Sequence, residues 1–324
     1  MASVAAPLKW RYAGLGLCEK EWFMKNSRSC PVCNTGSDKA KLFIDKNINL
    51  AKLSSFSFAS RKEPEYMCHR LVQCPNCDLV YADQPPGEEE LAHAYHAADY
   101  DSSEEANDAA KAYILAMRPT LDKLARRQSA LEIGTGTGIF LECLSREGFT
   151  ELVGVEPSSA AIAAAPEYRR AWIREGMFEK KDFAPGSFDL ICCFMTMEHV
   201  RDPEMVASAA FHLLRPGGAF VTVTHDYRSF VNRLLGRRSP IIDIEHMQLF
   251  SERSVRYLFE SAGYADVTVS AFANTYSLRY WMRLAPLPRG VKSAASSFAA
   301  ALGMDNVKLK INVGNLTTSG FKHV

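Results

Sequence analysis

The sequence predicts an α/β protein: a doubly wound, mostly parallel sheet covered on both faces by helices, with a small cysteine-bearing module in front of it. Three observations predict it. Strand-like and helix-like segments alternate from residue 130 onward. An apolar strand runs into an acid and a glycine loop, Glu132-Ile133-Gly134-Thr135-Gly136-Thr137-Gly138, just ahead of an amphipathic helix. Upstream, Cys30-Pro31-Val32-Cys33 and Cys74-Pro75-Asn76-Cys77 form two knuckles of the same C-P-x-C pattern.

The elements follow in order. Residues 1–27 are a leading tail with aromatic anchors Trp10, Tyr12 and Trp22, and residues 28–85 form the knuckle module, with a hairpin expected within 41–66 and a Pro-Pro-Gly boundary at 85–87. Residues 86–125 are a helical linker or lid, interrupted by acids around 99–108. In the core, 126–275, strands are expected at 130–133, 152–155, 171–173, 188–195, 219–224 and 265–271, separated by helices around 138–147, 158–165, 203–214 and 252–262. Ser251 is placed to cap the last of these helices and Gly263 to stop it. Residues 276–324 hold an aromatic amphipathic stretch (276–284), a loop-like segment (286–297) and a closing strand (307–321), so the region is expected to cover a substrate.

Composition bounds the function. In 324 residues, 47% hydrophobic, there is ample material for a buried core. Thirty-eight lysines and arginines against 37 aspartates and glutamates leave no whole-protein field for nucleic acid or an anionic membrane, and only Arg233, Arg237 and Arg238 form a basic cluster. Residues 1–10 lack the apolar core of a signal peptide, and no apolar run approaches a membrane span, so a cytoplasmic location without membrane attachment is expected. Nine cysteines, an odd number without an export signal, argue for reduced thiols. The paired knuckles then offer Cys30, Cys33, Cys74 and Cys77 as four thiolate ligands for a structural zinc ion, with Cys68 and His69 close enough in sequence to substitute.

The glycine loop reads as a cofactor loop. A dinucleotide fingerprint would put its last glycine where Ile139 stands, whereas the pattern here is E-x-G-x-G-x-G. It resembles motif I of the class I S-adenosylmethionine (SAM) dependent methyltransferases, in which bare backbone lets the methionyl end approach. SAM carries an ammonium and a sulfonium and no pyrophosphate, so Glu132 beside the loop suits it. The likeness continues through Gly154-Val155-Glu156, Glu175-Gly176-Met177-Phe178, Pro185-Gly186-Ser187-Phe188-Asp189 and Arg215-Pro216-Gly217-Gly218, covering about residues 126 to 272. It implies a Rossmann-like sheet of seven strands whose segment 265–271 pairs with part of 311–322. For the cofactor it implies Gly134, Gly136 and Gly138 against the methionyl end and Glu156 on the ribose. Met177 departs from the aspartate that many relatives carry to bind the adenine, and suggests an apolar sandwich with Phe178. Asp189 is expected to brace its strand.

Chemistry is expected at the carboxyl ends of the strands, where such sheets bind ligands. Glu198-His199 after the fourth strand offers a general base, His199 ahead of Glu198, or else a helix cap. Glu245-His246, on the loop before Ser251, could hold substrate or supply the base. Tyr95, His96 and Tyr100 resemble the aromatic lid of zinc-ribbon relatives, with Tyr95 toward substrate and Tyr100 toward the sulfonium. As a whole the chain resembles methyltransferases that join a four-cysteine zinc module to a class I core, among them sugar C-methyltransferases. That implies a small-molecule acceptor such as a nucleotide-linked sugar or a natural-product intermediate. An RNA methyltransferase and a non-catalytic SAM-binding or zinc scaffold are the alternatives. The sequence leaves the oligomeric state open.

Overall fold

The computed structural model describes residues 27–49, 51, 54–58, 65–98 and 104–323. The anchors Trp10, Tyr12 and Trp22, and Tyr100 of the lid, lie outside these residues. Strand β1 (Lys41–Ile44) pairs antiparallel with β2 (Leu71–Gln73), which pairs with β3 (Val80–Ala82). Among the described residues, the first strand of the hairpin expected within 41–66 pairs with 71–73 instead. The partner strand, 71–73, lies just ahead of the second knuckle and is mostly buried.

Helices α1 (Glu88–His96) and α2 (Glu104–Lys123) lead to β4 (Ser129–Ile133), which is buried along its whole length. Then follow α3 (Ile139–Arg146), β5 (Glu151–Glu156), α4 (Ser159–Ala164), α5 (Glu167–Arg170), β6 (Ile173–Glu175), β7 (Phe188–Phe194), α6 (Pro203–Leu213) and β8 (Leu214–His225). Short α7 (Phe230–Leu235) and β9 (Gln248–Leu249) precede α8 (Glu252–Ser261), β10 (Ala265–Ser277), α9 (Leu278–Leu284), α10 (Arg289–Ala301) and β11 (Lys308–Phe321). The seven-stranded sheet has the order β10-β11-β8-β7-β4-β5-β6. Its last strand inserts antiparallel between β10 and β8, and Ala265 and Ala271 face Phe321 and Leu316, the pairing expected.

Local signals explain most boundaries. Ser251 caps α8 by accepting from the Ser254 amide, and Gly263, at φ +95°, ends it. Asp189 accepts the amides of Gln128 and Ser129 and an Arg215 bond, so it braces the foot of β4 as expected. The segment expected to be loop-like, 286–297, is instead largely α10. Pro288 stands at its N-cap, an alanine-rich run follows, and Val291, Ala294, Ala295 and Phe298 recur at helical spacing, a pattern the loop reading overlooked. β6 begins at Ile173 and not at 171, because α5 extends to Arg170.

The cysteine module is fastened to the core. β9, a two-residue piece of the loop after β8, pairs with β3. Asp78, in the second knuckle, accepts from Arg228, Ser251 and Gln73, and the Tyr227 hydroxyl donates to its carbonyl. Arg28 reaches the carbonyls of Ala82 and Arg201, and its burial lowers the guanidinium pKa to about 10. Among the described residues no helix is long and apolar enough to cross a membrane.

Candidate functional site

A cavity of about 370 Å³ opens beyond the carboxyl ends of β4, β5, β7 and β8. One end is the glycine loop. Gly134, Gly136 and Gly138 have φ of +75°, +56° and +69°, a region that side chains disfavour. A Cβ on Gly134 would come within 2.3 Å of Thr196 Oγ1, so β7 and the loop touch there through bare backbone. At Gly136 a Cβ would meet nothing within 4 Å, so this glycine faces open space in the cavity wall.

Two carboxylates flank the loop. Glu132 is buried and accepts from Thr135 Oγ1; burial, and secondarily Glu156, push its carboxyl up to about 8. Glu156 ends β5, and its two oxygens accept the amides of Gly136 at 2.7 Å and Ser158 at 2.9 Å. Burial raises it too, against the pull of those amides. Met177 and Phe178 line the same end, and Phe178 stacks on Phe183 with 6.2 Å between centroids.

Three histidines gather at the middle of the cavity. His199 Nδ1 lies 3.2 Å from the Tyr95 hydroxyl and 3.8 Å from Glu245 Oε2. The His246 ring sits 4.9 Å from that of His199 and 5.6 Å from that of His225. His246 Nδ1 is 2.8 Å from the Ile241 carbonyl, which assigns the proton to Nδ1 and leaves Nε2 bare, 3.9 Å from Glu245 Oε1. Burial, helped by His225, lowers its pKa, so the imidazole is neutral at neutral pH.

Glu198 differs from its neighbours. It is 0% exposed and absent from the cavity wall, because the turn after Met195, a non-glycine residue at φ +50°, rotates it inward. There it accepts the His225 amide at 2.7 Å and lies 3.3 Å from His225 Nδ1, close in distance but off the line of a hydrogen bond. Burial alone would raise its pKa; His225, His246 and His199 outweigh that and hold it below its usual value. It sits against His225 and not the open space.

The sequence profile of the family described as "Methyltransferase domain" matches residues 103–269, just over half of the chain. The chain belongs to this methyltransferase domain family. Curated relatives include the ubiquinone biosynthesis O-methyltransferase of Serratia proteamaculans (strain 568), 33% identical over 116 residues that are 34% of this chain and 48% of that protein. The protein of the same description from Methylococcus capsulatus is 29% identical over 117 residues, 34% of this chain and 49% of that one. The chain thus spans about half the length of the curated relatives it matches. Similar solved structures include a SAM-dependent methyltransferase of Thermotoga maritima, described as a possible histamine N-methyltransferase (TM-score 0.43, 21% identity, 66% of this chain and 90% of that one). Phosphoethanolamine N-methyltransferase 2 of Haemonchus contortus, in complex with SAM, is another (TM-score 0.40, 18% identity, 67% and 57%).

The matched part of this class I SAM-dependent methyltransferase domain contains the glycine loop, both flanking carboxylates and the three histidines. The cysteine module, Tyr95 and the wall formed by β10 residues beyond 269, α9 and β11 lie outside it. That wall brings in Asn274, Tyr276, Tyr280, Trp281 and Asn315. Of these the sequence singled out only the aromatic stretch. The two asparagines and His225 carried no local signal, since each reaches the cavity only through strand register.

The four knuckle cysteines converge as expected, with all four Sγ atoms within 4.8 Å of one another. Cys30 and Cys77 are 3.5 Å apart and Cys33 and Cys74 3.4 Å, far from the roughly 2.05 Å of a disulfide and near the roughly 3.8 Å edge of a tetrahedron with metal–sulfur bonds of about 2.3 Å. The knuckles also share a backbone: Asn34 (φ +55°) and Asp78 (φ +72°) each follow the second cysteine and donate their amides to Cys30 and Cys74. The donor set and its geometry fit a four-coordinate ion. Cys68 turns to the Asp45 carbonyl and His69 is outside the cluster, so neither substitutes.

Proposed function

We propose that the protein transfers a methyl group from SAM to a small-molecule acceptor by in-line displacement, with a histidine as general base and a structural Zn²⁺ held by Cys30, Cys33, Cys74 and Cys77. The observation that carries this reading is that the E-x-G-x-G-x-G loop, Glu156, His199 and His246 line one continuous cavity. SAM, when bound, would supply an electrophilic methyl, its bond to sulfur breaking with the pair kept by sulfur as the acceptor's own pair forms the new bond.

The chain's own residues do the rest. Gly134 and Gly136 admit the methionyl end against backbone, and Glu132 faces its positive charge. Glu156 holds its carboxylate rigidly on two amides and keeps lone pairs for the ribose hydroxyls. Met177 and Phe178 offer apolar surface to the adenine. Holding acceptor and methyl in line is the main contribution to rate, and proton removal completes it. His246 suits that role best, with a neutral ring and Nε2 bare. His199, bonded to Tyr95, orients the acceptor, and Glu245 stabilises the imidazolium that forms. The acceptor is of the kind represented by nucleotide-linked sugars and natural-product intermediates. The near balance of charge supports a small molecule over RNA.

Calorimetric titration with SAM and S-adenosylhomocysteine, followed by detection of S-adenosylhomocysteine release over an acceptor panel, tests the reading. Turnover surviving replacement of both His199 and His246 by alanine sinks the base assignment. A second reading has its own observation: His199, Glu245 and His246 place three ligand atoms within 4.8 Å, enough for a divalent ion that would polarise an acceptor oxygen. Metal analysis separates the two. One equivalent, lost with Cys30, fits the base mechanism; a second, lost in His246→Ala, fits the metal mechanism.

A further inference from the structure

The cavity end away from the glycine loop holds two carboxamides with hydrogen-bonding atoms unused. Asn315 is 1% exposed and Asn274 3%, and both line the cavity. Among the described residues, Oδ1 and Nδ2 of Asn315 and Oδ1 of Asn274 have no hydrogen-bond partner. Folded proteins keep few such atoms, since water no longer serves them. Thr222 and Thr318 have equally unpaired hydroxyls in the same sheet but stand away from the cavity, so the asparagines are set apart by lining it.

Register places them. Asn315 lies opposite His225 in the β11–β8 ladder. The β10–β11 ladder slips between Phe272 and Asn274, and such an irregularity re-aims the side chains beyond it. Two residues on, on the same face, Tyr276 begins an aromatic wall with Tyr280 at 4.8 Å and Trp281 at 5.2 Å between centroids. The charges of the cavity are one-sided. Glu132, Glu156, Asp243 and Glu245 line it, and among the described residues no lysine or arginine does. An anionic group placed inside would meet carboxylates and no fixed cation.

We propose that Asn274 and Asn315 form the acceptor subsite, and that it takes an uncharged ring carrying adjacent hydroxyl or carbonyl groups, its face against the aromatic wall. The proposal rests on the methyltransferase reading, because the acceptor must share the cavity with SAM. A phosphate or carboxylate close to the ring weakens binding, and only one on an arm long enough to leave the cavity is tolerated. The ring is either a flat phenol or a saturated sugar, and both present neighbouring oxygens to the two carboxamides.

The test uses the full chain loaded with S-adenosylhomocysteine and paired probes followed by ligand-observed NMR: 3,4-dihydroxybenzaldehyde against 3,4-dihydroxybenzoate, and methyl glucoside against glucose 6-phosphate. A neutral member is expected to bind at least about tenfold more tightly than its anionic partner and to lose about tenfold in Asn315→Leu, as for loss of one or two hydrogen bonds. Which neutral ring binds identifies the source. Equal or tighter binding of the anions, binding of neither neutral probe, or an unchanged Asn315→Leu overturns the proposal. A second readout needs no acceptor: Asn315→Leu and Asn274→Leu should hold or raise the melting temperature of the loaded protein, whereas a fall of several degrees would make the carboxamides structural and overturn it. Failure of the wild type to bind S-adenosylhomocysteine fails the methyltransferase reading itself; binding without discrimination among the probes fails this proposal alone.

Discussion

Replacing Glu132 by glutamine should remove a proton that SAM binding otherwise expels. The carboxyl is buried beside the cavity, and burial lifts its pKa from 4.5 to about 8. At pH 7 the free protein therefore holds Glu132 about 90% protonated. Arrival of an ammonium and a sulfonium favours the carboxylate, so binding should release that proton. Titration with SAM at pH 7 in buffers of different ionisation enthalpy counts it directly. The wild type should release about 0.9 proton and Glu132→Gln about 0.9 fewer. The same shift acts on stability, with its sign fixed. The folded pKa is the higher one, so the folded state binds more protons between pH 4.5 and 8. The contribution of Glu132 to the stability of the unliganded protein is full below 4.5 and is lost as pH rises through 8, by an amount on the order of 5 kcal/mol for the 3.5-unit shift. Urea melts at pH 5 and pH 8 should show this fall in the wild type and a shallower one in Glu132→Gln. Identical proton counts for the two proteins, or identical pH slopes, would refute the reasoning.

Other outcomes are equally specific. Glu156→Ala removes the acceptor of two ribose hydroxyls, worth about 1.5–3 kcal/mol each toward a charged group, so S-adenosylhomocysteine affinity should drop by about 10² to 10⁴-fold; a loss under threefold in a folded variant would remove Glu156 from the ribose. His246→Ala should leave SAM affinity within a few-fold while turnover falls about 10²-fold or more. In the wild type the acid limb of the rate profile should lie below the ordinary histidine value, as the lowered pKa requires. A limb above pH 7 would point to another base. Cys30→Ser, or removal of the metal by a strong chelator, should expose 28–83 to protease and, through the β3–β9 pairing, slacken the Glu245–His246 loop. Turnover should be lost and SAM affinity kept, and a resistant, active, metal-free protein would contradict the zinc assignment. Gly134→Ala should weaken SAM binding and destabilise the fold by about 1–3 kcal/mol, since the added methyl meets Thr196 in a left-handed backbone; calorimetry and thermal melts read both.

The sequence by itself determined the parts whose geometry is local. E-x-G-x-G-x-G dictates a tight strand-to-helix turn because glycine alone takes φ near +60° freely, and Glu156 follows at the length of one helix and one strand. The knuckles are legible for the same reason: two cysteines three apart can share a metal whatever surrounds them. Ser251 was readable as a cap because it acts on an amide at the start of its own helix, whereas Asp189 braces through the amides of Gln128 and Ser129, 61 and 60 residues away on another strand. Tertiary structure alone decided the rest. Glu198 and His199 are neighbours in sequence, yet the turn at Met195 sends one into the core behind His225 and the other to the cavity. Two residues of a long loop become β9 only because β3 of the cysteine module lies alongside with unpaired backbone. Asn315 comes opposite His225, 90 residues earlier, only because β11 inserts antiparallel between β10 and β8, which also sets Asn274 opposite Ile311. Register over such separations is set by the packing of the whole sheet, and no window of the sequence contains it.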